Sequence, residues 1–205
     1  MSAARFRCAA ACAGWVGWIS VSALLGVGAL LGTGVAPEML DWQPALALTQ
    51  PWRMFSAVAV HYEAAHLLAN LAGALLVAAL GWAARIGVHM SLAWLLAWPL
   101  THLGLLFDPQ LAHYGGLSGV LHAGVAIVAV HLLLAGRTRQ RRIGAAICIG
   151  LVVKVGLEFP WVPAFHAELG IMVAPLAHLS GLVVGSACGA AAHALARRHS
   201  TMPHA

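Results

Sequence analysis

The sequence predicts an all-α membrane protein: six transmembrane helices in one bundle, with both termini cytoplasmic. Three observations predict it. The 205 residues are 61% hydrophobic and only 8% charged, where a soluble domain carries about 25% charged residues. The apolar residues fall into six runs of about 20, the length that crosses a hydrocarbon core. The charges fall between those runs, arginines on one side and acids toward the other. At this length the chain makes one domain.

A short head, 1–13, carries Arg5 and Arg7. In the first apolar run, 14–34, no small-x-small cleavage site stands out, and at a length that can span, the run reads as a signal anchor. The loop 35–62 interleaves Trp42 and Trp52 with Pro37, Pro44, Pro51, Glu38, Asp41 and Arg53, a composition suited to the membrane interface. The second helix is read at 63–84, ending at Arg85, and the third at 90–107. A glycine-bearing loop, 108–117, then leads into the fourth helix at 118–135, which stops at Gly136 and the cluster Arg137, Arg139, Arg141 and Arg142. The fifth helix, 143–159, is ended by Pro160 and Pro163. The sixth, 174–196, has Pro175 in its first turn, where a missing N–H costs nothing. Residues 199–205 form a tail.

Arg5, Arg7, Arg85, the four arginines after the fourth helix, and Arg197 and Arg198 all lie on one side of a six-helix zigzag. The positive-inside rule makes that side cytoplasmic. The net charge of +5 therefore marks topology and not a nucleic-acid partner. Lys154 and Glu158, four apart near the outer end of the fifth helix, read as a membrane-buried ion pair. Cys8, Cys12, Cys148 and Cys188 fit no disulfide or zinc spacing and read as small apolar residues.

Polar side chains inside a bilayer are expensive and mark function. His66 and Asn70 share a face of the second helix, Ser118 and His122 a face of the fourth. His178 stands in the sixth, beside the smooth face made by Gly181, Gly185 and Gly189. All three helices run inward. His66 precedes Arg85, Ser118 precedes Arg137 and His178 precedes Arg197 by the same 19 positions. At 1.5 Å per residue each polar group sits roughly 28 Å above its inner arginine, so all lie at one depth in the outer leaflet.

That convergence suits acyl transfer. A neutral imidazole, His178, can activate the Ser118 hydroxyl as nucleophile and later return the proton. The oxyanion needs donors. These are the first-turn N–H groups of Leu117 and Ser118, free of helical partners and favoured by the helix dipole, with the side chains of His66 and Asn70. Gly115, Gly116 and Gly119 permit a tight approach of backbone. No aspartate lies at the depth needed to orient His178, so a Ser–His dyad is expected, with no cofactor and no metal. One alternative is a non-catalytic protein that binds haem or metal through His66, His122 and His178. Another is a protein that holds membrane helices without cutting them. The zinc motif His-Glu-x-x-His is absent.

These residues resemble the rhomboid intramembrane serine proteases over about residues 50–190. Gln50-Pro51-Trp52-Arg53 is similar to the family's Trp-Arg loop, and His61 with His66-Leu67-Leu68-Ala69-Asn70 to its histidine and asparagine motif. Gly116-Leu117-Ser118-Gly119 is similar to its Gly-x-Ser-Gly motif, and Ala177-His178-Leu179-Ser180-Gly181 to its last-helix motif. The resemblance implies Ser118 as nucleophile, His178 as base, and His66, Asn70 and the Ser118 backbone as the oxyanion site, with Trp52, Arg53, His61, Gly116, Gly119 and Gly181 in support. Val173 stands where the family often has glycine. His122 stands where common members carry an aromatic residue stacked on the histidine; it can stack on His178, pass a proton, or fill space.

The run Gly116–His122, the His178 motif and the minimal core look most like the rhombosortase branch. That implies an enzyme of the bacterial inner membrane, its site facing the periplasm. Its substrates would be membrane-anchored proteins ending in a Gly-Gly motif, one transmembrane helix and a basic tail. No nucleic acid is implied.

Overall fold

The computed structural model describes residues 3–160, 164–166 and 171–201, with side chains described over 14–160 and 174–198. The helices are α1 (Ala3–Gly32), α2 (Pro37–Leu40), α3 (Arg53–Ser56), α4 (Ala64–Ala83), α5 (Val88–Leu103), α6 (Ser118–Ala135), α7 (Thr138–Leu157) and α8 (Pro175–Thr201). A 3-10 turn, Gly104–Phe107, extends α5. Two three-residue strands, β1 (Ala164–His166) and β2 (Ile171–Val173), pair antiparallel between α7 and α8, with Ala164 opposite Val173. The side chain of Val173 lies outside the described residues, as do those of Arg5, Arg7, Cys8 and Cys12.

Five helical segments are long and apolar enough to cross a membrane: Gly14–Gly32, Ala64–Ala83, Val88–Phe107, Ser118–Ala135 and Pro175–Arg198. Helices suit such sequences because lipid offers no partner to an unpaired backbone group. The protein is a multi-pass helical bundle, with the short β1–β2 hairpin between α7 and α8 as its one pair of strands among the described residues. α7 is not among the five. At 20 residues it is as long as α4, but Arg139, Arg141, Arg142 and Lys154 lower its hydropathy.

Several ends differ from the sequence reading. α7 begins at Thr138 instead of 143, because arginine propagates a helix as well as leucine does and hydropathy reports burial, not helicity. Gln140 turns back to accept the Arg137 N–H at 2.9 Å. α1 begins at Ala3, so the head is helical, and α8 runs on to Thr201. The 35–62 loop folds into short helical turns, including α2 and α3.

α6 lies at the centre, packed against α8, α7, α5 and α4. Its closest approach is to α8, where a Cβ on Gly181 would overlap the Gly119 carbonyl oxygen and one on Gly185 the Ala123 carbonyl oxygen. Hydrogen bonds fix the remaining helices. Trp18 of α1 stacks on Trp94 of α5 with centroids 4.3 Å apart. The Trp18 indole N–H donates to the Val77 carbonyl at 2.9 Å, and that of Trp94 to the Val120 carbonyl at 2.8 Å. Ser22 donates to the Ala74 carbonyl at 2.7 Å, and Ser180 to the Thr101 carbonyl at 2.7 Å. In lipid, where apolar burial gives helices little reason to associate, such bonds and small-residue contacts set the geometry.

Candidate active site

The loop before α6 is held from the 35–62 segment. Trp42, fully buried, exchanges two backbone hydrogen bonds with Tyr114, at 2.8 and 2.9 Å. The Gly116 N–H donates to the Ala57 carbonyl at 3.0 Å. Gly116 has φ +141, a conformation that glycine accepts and other residues resist, and a Cβ there would press on the His66 ring at 3.0 Å. The chain then enters α6 through Leu117, fully buried, and delivers Ser118 to the first turn, half-buried.

Across the α6–α8 contact, Ser118 Oγ lies 2.9 Å from His178 Nε2. The glycine contacts bring the two helices near enough for this bond. On the other edge of the ring, His178 Nδ1 lies 2.7 Å from Glu158 Oε2. The other oxygen of Glu158 accepts from Lys154 Nζ at 2.6 Å. This departs from the expectation of a dyad with no acid in reach. The acid is a glutamate at the C-cap of α7, whose place four residues after Lys154 reads in the sequence as an ion pair alone. A depth count would have found it: Glu158 follows Arg137 by 21 positions, and Ser118 precedes it by 19.

His122 stacks on His178, centroids 4.1 Å apart and planes 16° from parallel. Its Nδ1–H donates to the Ser118 carbonyl at 2.7 Å. Of the roles open to His122, the structure shows the stack.

His66 is 6% exposed, and neither ring nitrogen has a hydrogen-bond partner among the described residues. Its ring lines the cavity that also holds Ser118. The Asn70 amide donates to His61 Nε2 at 2.9 Å. An amide nitrogen carries two hydrogens, so one remains. Burial, with His66 adding and the Ala59 carbonyl opposing, pulls His61 down to about 4, which keeps its ring a neutral acceptor. His61 thus ties the loop before α4 to Asn70.

Arg53 is buried away from the serine, at the centre of the outer loops. Its Nη1 donates to the Asp41 carboxylate at 3.1 Å and to the Glu38 and Asp41 carbonyls, and its Nε to Gln50 at 2.6 Å. Asp41, 1% exposed, also accepts from Tyr62 at 3.0 Å and pairs with His113 Nδ1 at 2.7 Å. Trp52 is exposed at the N-cap of α3 and does not reach the site. Besides Glu158, Asp41 and Tyr114 went unread as functional. Tyr114 is almost fully buried beside Ser118, its hydroxyl donating to the Gly116 carbonyl at 3.4 Å, and burial pushes its phenol up to about 12. It therefore stays a protonated donor.

Two cavities meet at Ser118. One, about 110 Å³, rises through Tyr62, His66, His113 and Tyr114 toward the outer loops. The other, about 310 Å³, opens sideways between α4 and α7, lined by Asn70, Gly73, Leu76, His122, Leu151 and Lys154. A hydroxyl bonded to an imidazole, where a cavity toward the loops meets one that opens between helices, has the parts that acyl transfer needs. The family model described as the Rhomboid domain matches residues 48–195. No curated protein matches the chain.

Proposed function

The chain belongs to the rhomboid family, and from that premise we propose that it is an active intramembrane serine endopeptidase of the rhombosortase kind. Ser118 attacks the scissile carbonyl carbon as His178 Nε2 takes its proton. The oxyanion is received by the Leu117 and Ser118 N–H groups and by His66, with the free Asn70 hydrogen beside them. His178 then gives its proton to the leaving amine, and water admitted from the outer loops releases the acyl group by the reverse transfers. The observation that carries this reading is the 2.9 Å Ser118–His178 bond, set at the meeting of a loop-facing and a lipid-facing cavity.

The substrate is a single-pass membrane segment that arrives between α4 and α7. The apolar side cavity suits a transmembrane helix. The small cavity above Ser118 suits residues without side chains, in keeping with a Gly-Gly motif ahead of that helix and its basic tail. α7 serves as the sixth span, its arginines at the cytoplasmic end, so both termini are cytoplasmic and the site faces the periplasm of a bacterial inner membrane.

The test is cleavage of a single-pass Gly-Gly reporter by protein reconstituted in vesicles. Wild type cuts; Ser118→Ala and His178→Ala lose about 10⁶-fold in kcat, as removal of a nucleophile or its base does. A phosphonate probe labels Ser118. Wild-type cleavage by either variant overturns the assignment. A reporter that co-purifies with a chain that neither cuts nor takes the probe points to a helix-holding protein instead.

A further inference from the structure

Resting on the protease reading above, we infer that Glu158 is a positioning residue of the reaction: it orients His178 and stands against the positive charge that forms on it during the reaction, and Lys154 anchors it. Both carboxylate oxygens are engaged, Oε2 with His178 Nδ1 at 2.7 Å and Oε1 with Lys154 Nζ at 2.6 Å. An i, i+4 ion pair needs only the second of these. The first joins α7 to the imidazole that holds the serine, at the length of a charge-assisted bond.

A carboxylate can only accept, so the shared proton must sit on Nδ1. Nε2 then presents its lone pair to the Ser118 hydroxyl, which is the tautomer a base requires. As Ser118 Oγ bonds to the carbonyl carbon, its proton passes to Nε2, and the new imidazolium charge stands against Glu158. The C–N bond breaks as that proton leaves with the amine, and the ring is neutral again. Glu158 takes no proton at any point.

The surroundings leave this role to Glu158. Among the described residues, the titratable and hydroxyl groups facing His178 are Ser118 and His122 from α6, His66 from α4, and Lys154 with Glu158 from α7. His122 covers one face of the ring and spends its Nδ1–H on the Ser118 carbonyl. The backbone helps to place the acid. Phe159 adopts φ +49, unfavourable for a residue with a β-carbon, and that turn ends α7 with Glu158 at the level of His178. Lys154 also lines the side cavity, so the helix that walls the substrate path carries the anchor of the base.

Full-length protein in vesicles tests this with the Gly-Gly reporter. Glu158→Gln is expected to lower kcat about 10²–10⁴-fold, the range seen when the acid of a serine triad is neutralised, with KM within about threefold and the same thermal midpoint. Phosphonate labelling of Ser118 slows in parallel. Glu158→Asp, which keeps the charge, recovers at least part of the rate. Should Glu158→Gln not fold, Glu158→Ala with added formate decides: a rate that rises with formate in the variant and not in wild type supports the role, and no rise overturns it. Wild-type kcat in Glu158→Gln, with Ser118→Ala silent, overturns the role of Glu158 and leaves the protease standing. Cleavage by Ser118→Ala overturns the protease reading itself.

Discussion

Gly119→Ala tests whether the close approach of α6 and α8 sets the catalytic distance. A Cβ on Gly119 would lie 2.8 Å from the Ala177 carbonyl oxygen and 3.1 Å from Thr101 Cγ2. Unstrained carbon–oxygen contacts begin at about 3.3 Å, so the helices must part by roughly 0.5 Å. Gly119 adjoins Ser118 and Ala177 adjoins His178, so the separation falls almost undiluted on the 2.9 Å Ser118–His178 bond. Stretched to about 3.4 Å, that bond is largely lost. The overpacking costs about 1–3 kcal/mol of stability, and a misplacement of this order about 10²-fold in rate. The assay is kcat on the reporter, with a thermal midpoint in detergent. Gly150→Ala is the control, because nothing lies within 4 Å of its Cβ; it should cleave normally. Wild-type rate and midpoint in Gly119→Ala would refute the argument.

Two further outcomes follow from the site. Arg53→Ala removes the charge that faces the almost fully buried Asp41, and should lower stability by about 3 kcal/mol; an unchanged unfolding midpoint would show that Tyr62 and His113 suffice for that carboxylate. His66→Phe keeps the ring that packs beside Gly116 but deletes its donor. It should lower kcat about 10²–10³-fold with KM nearly unchanged, and wild-type kcat would remove His66 from the oxyanion site.

The long helices and the Ser118–His178 pairing were legible because they rest on one-dimensional quantities. An apolar run long enough to cross lipid must pair its backbone internally, and a fixed rise per residue turns equal spacing from the inner arginines into equal depth. The glycine face of α8 was legible for a similar reason, since residues four apart share a helix face. The start of α7 was not, because its arginines belong to the helix while reading as loop. The Trp-Arg loop was visible as a motif, yet its work was not: Arg53 reaches Asp41 and Glu38, and Asp41 reaches His113 72 residues away.

What the sequence determined by itself, then, is a membrane-embedded helical bundle with a serine and two histidines at a common height, and an asparagine one turn below one of them. Height along a helix is counted in residues, but rotation about its axis and the lean of one helix on another are not. Those depend on how Gly119, Gly181 and Gly185 let α6 and α8 touch. Only the tertiary structure therefore decided that His122 lies flat on His178, that neither nitrogen of His66 has a hydrogen-bond partner among the described residues, and that α7 ends with Glu158 turned to the Nδ1 of His178 instead of to Lys154 alone.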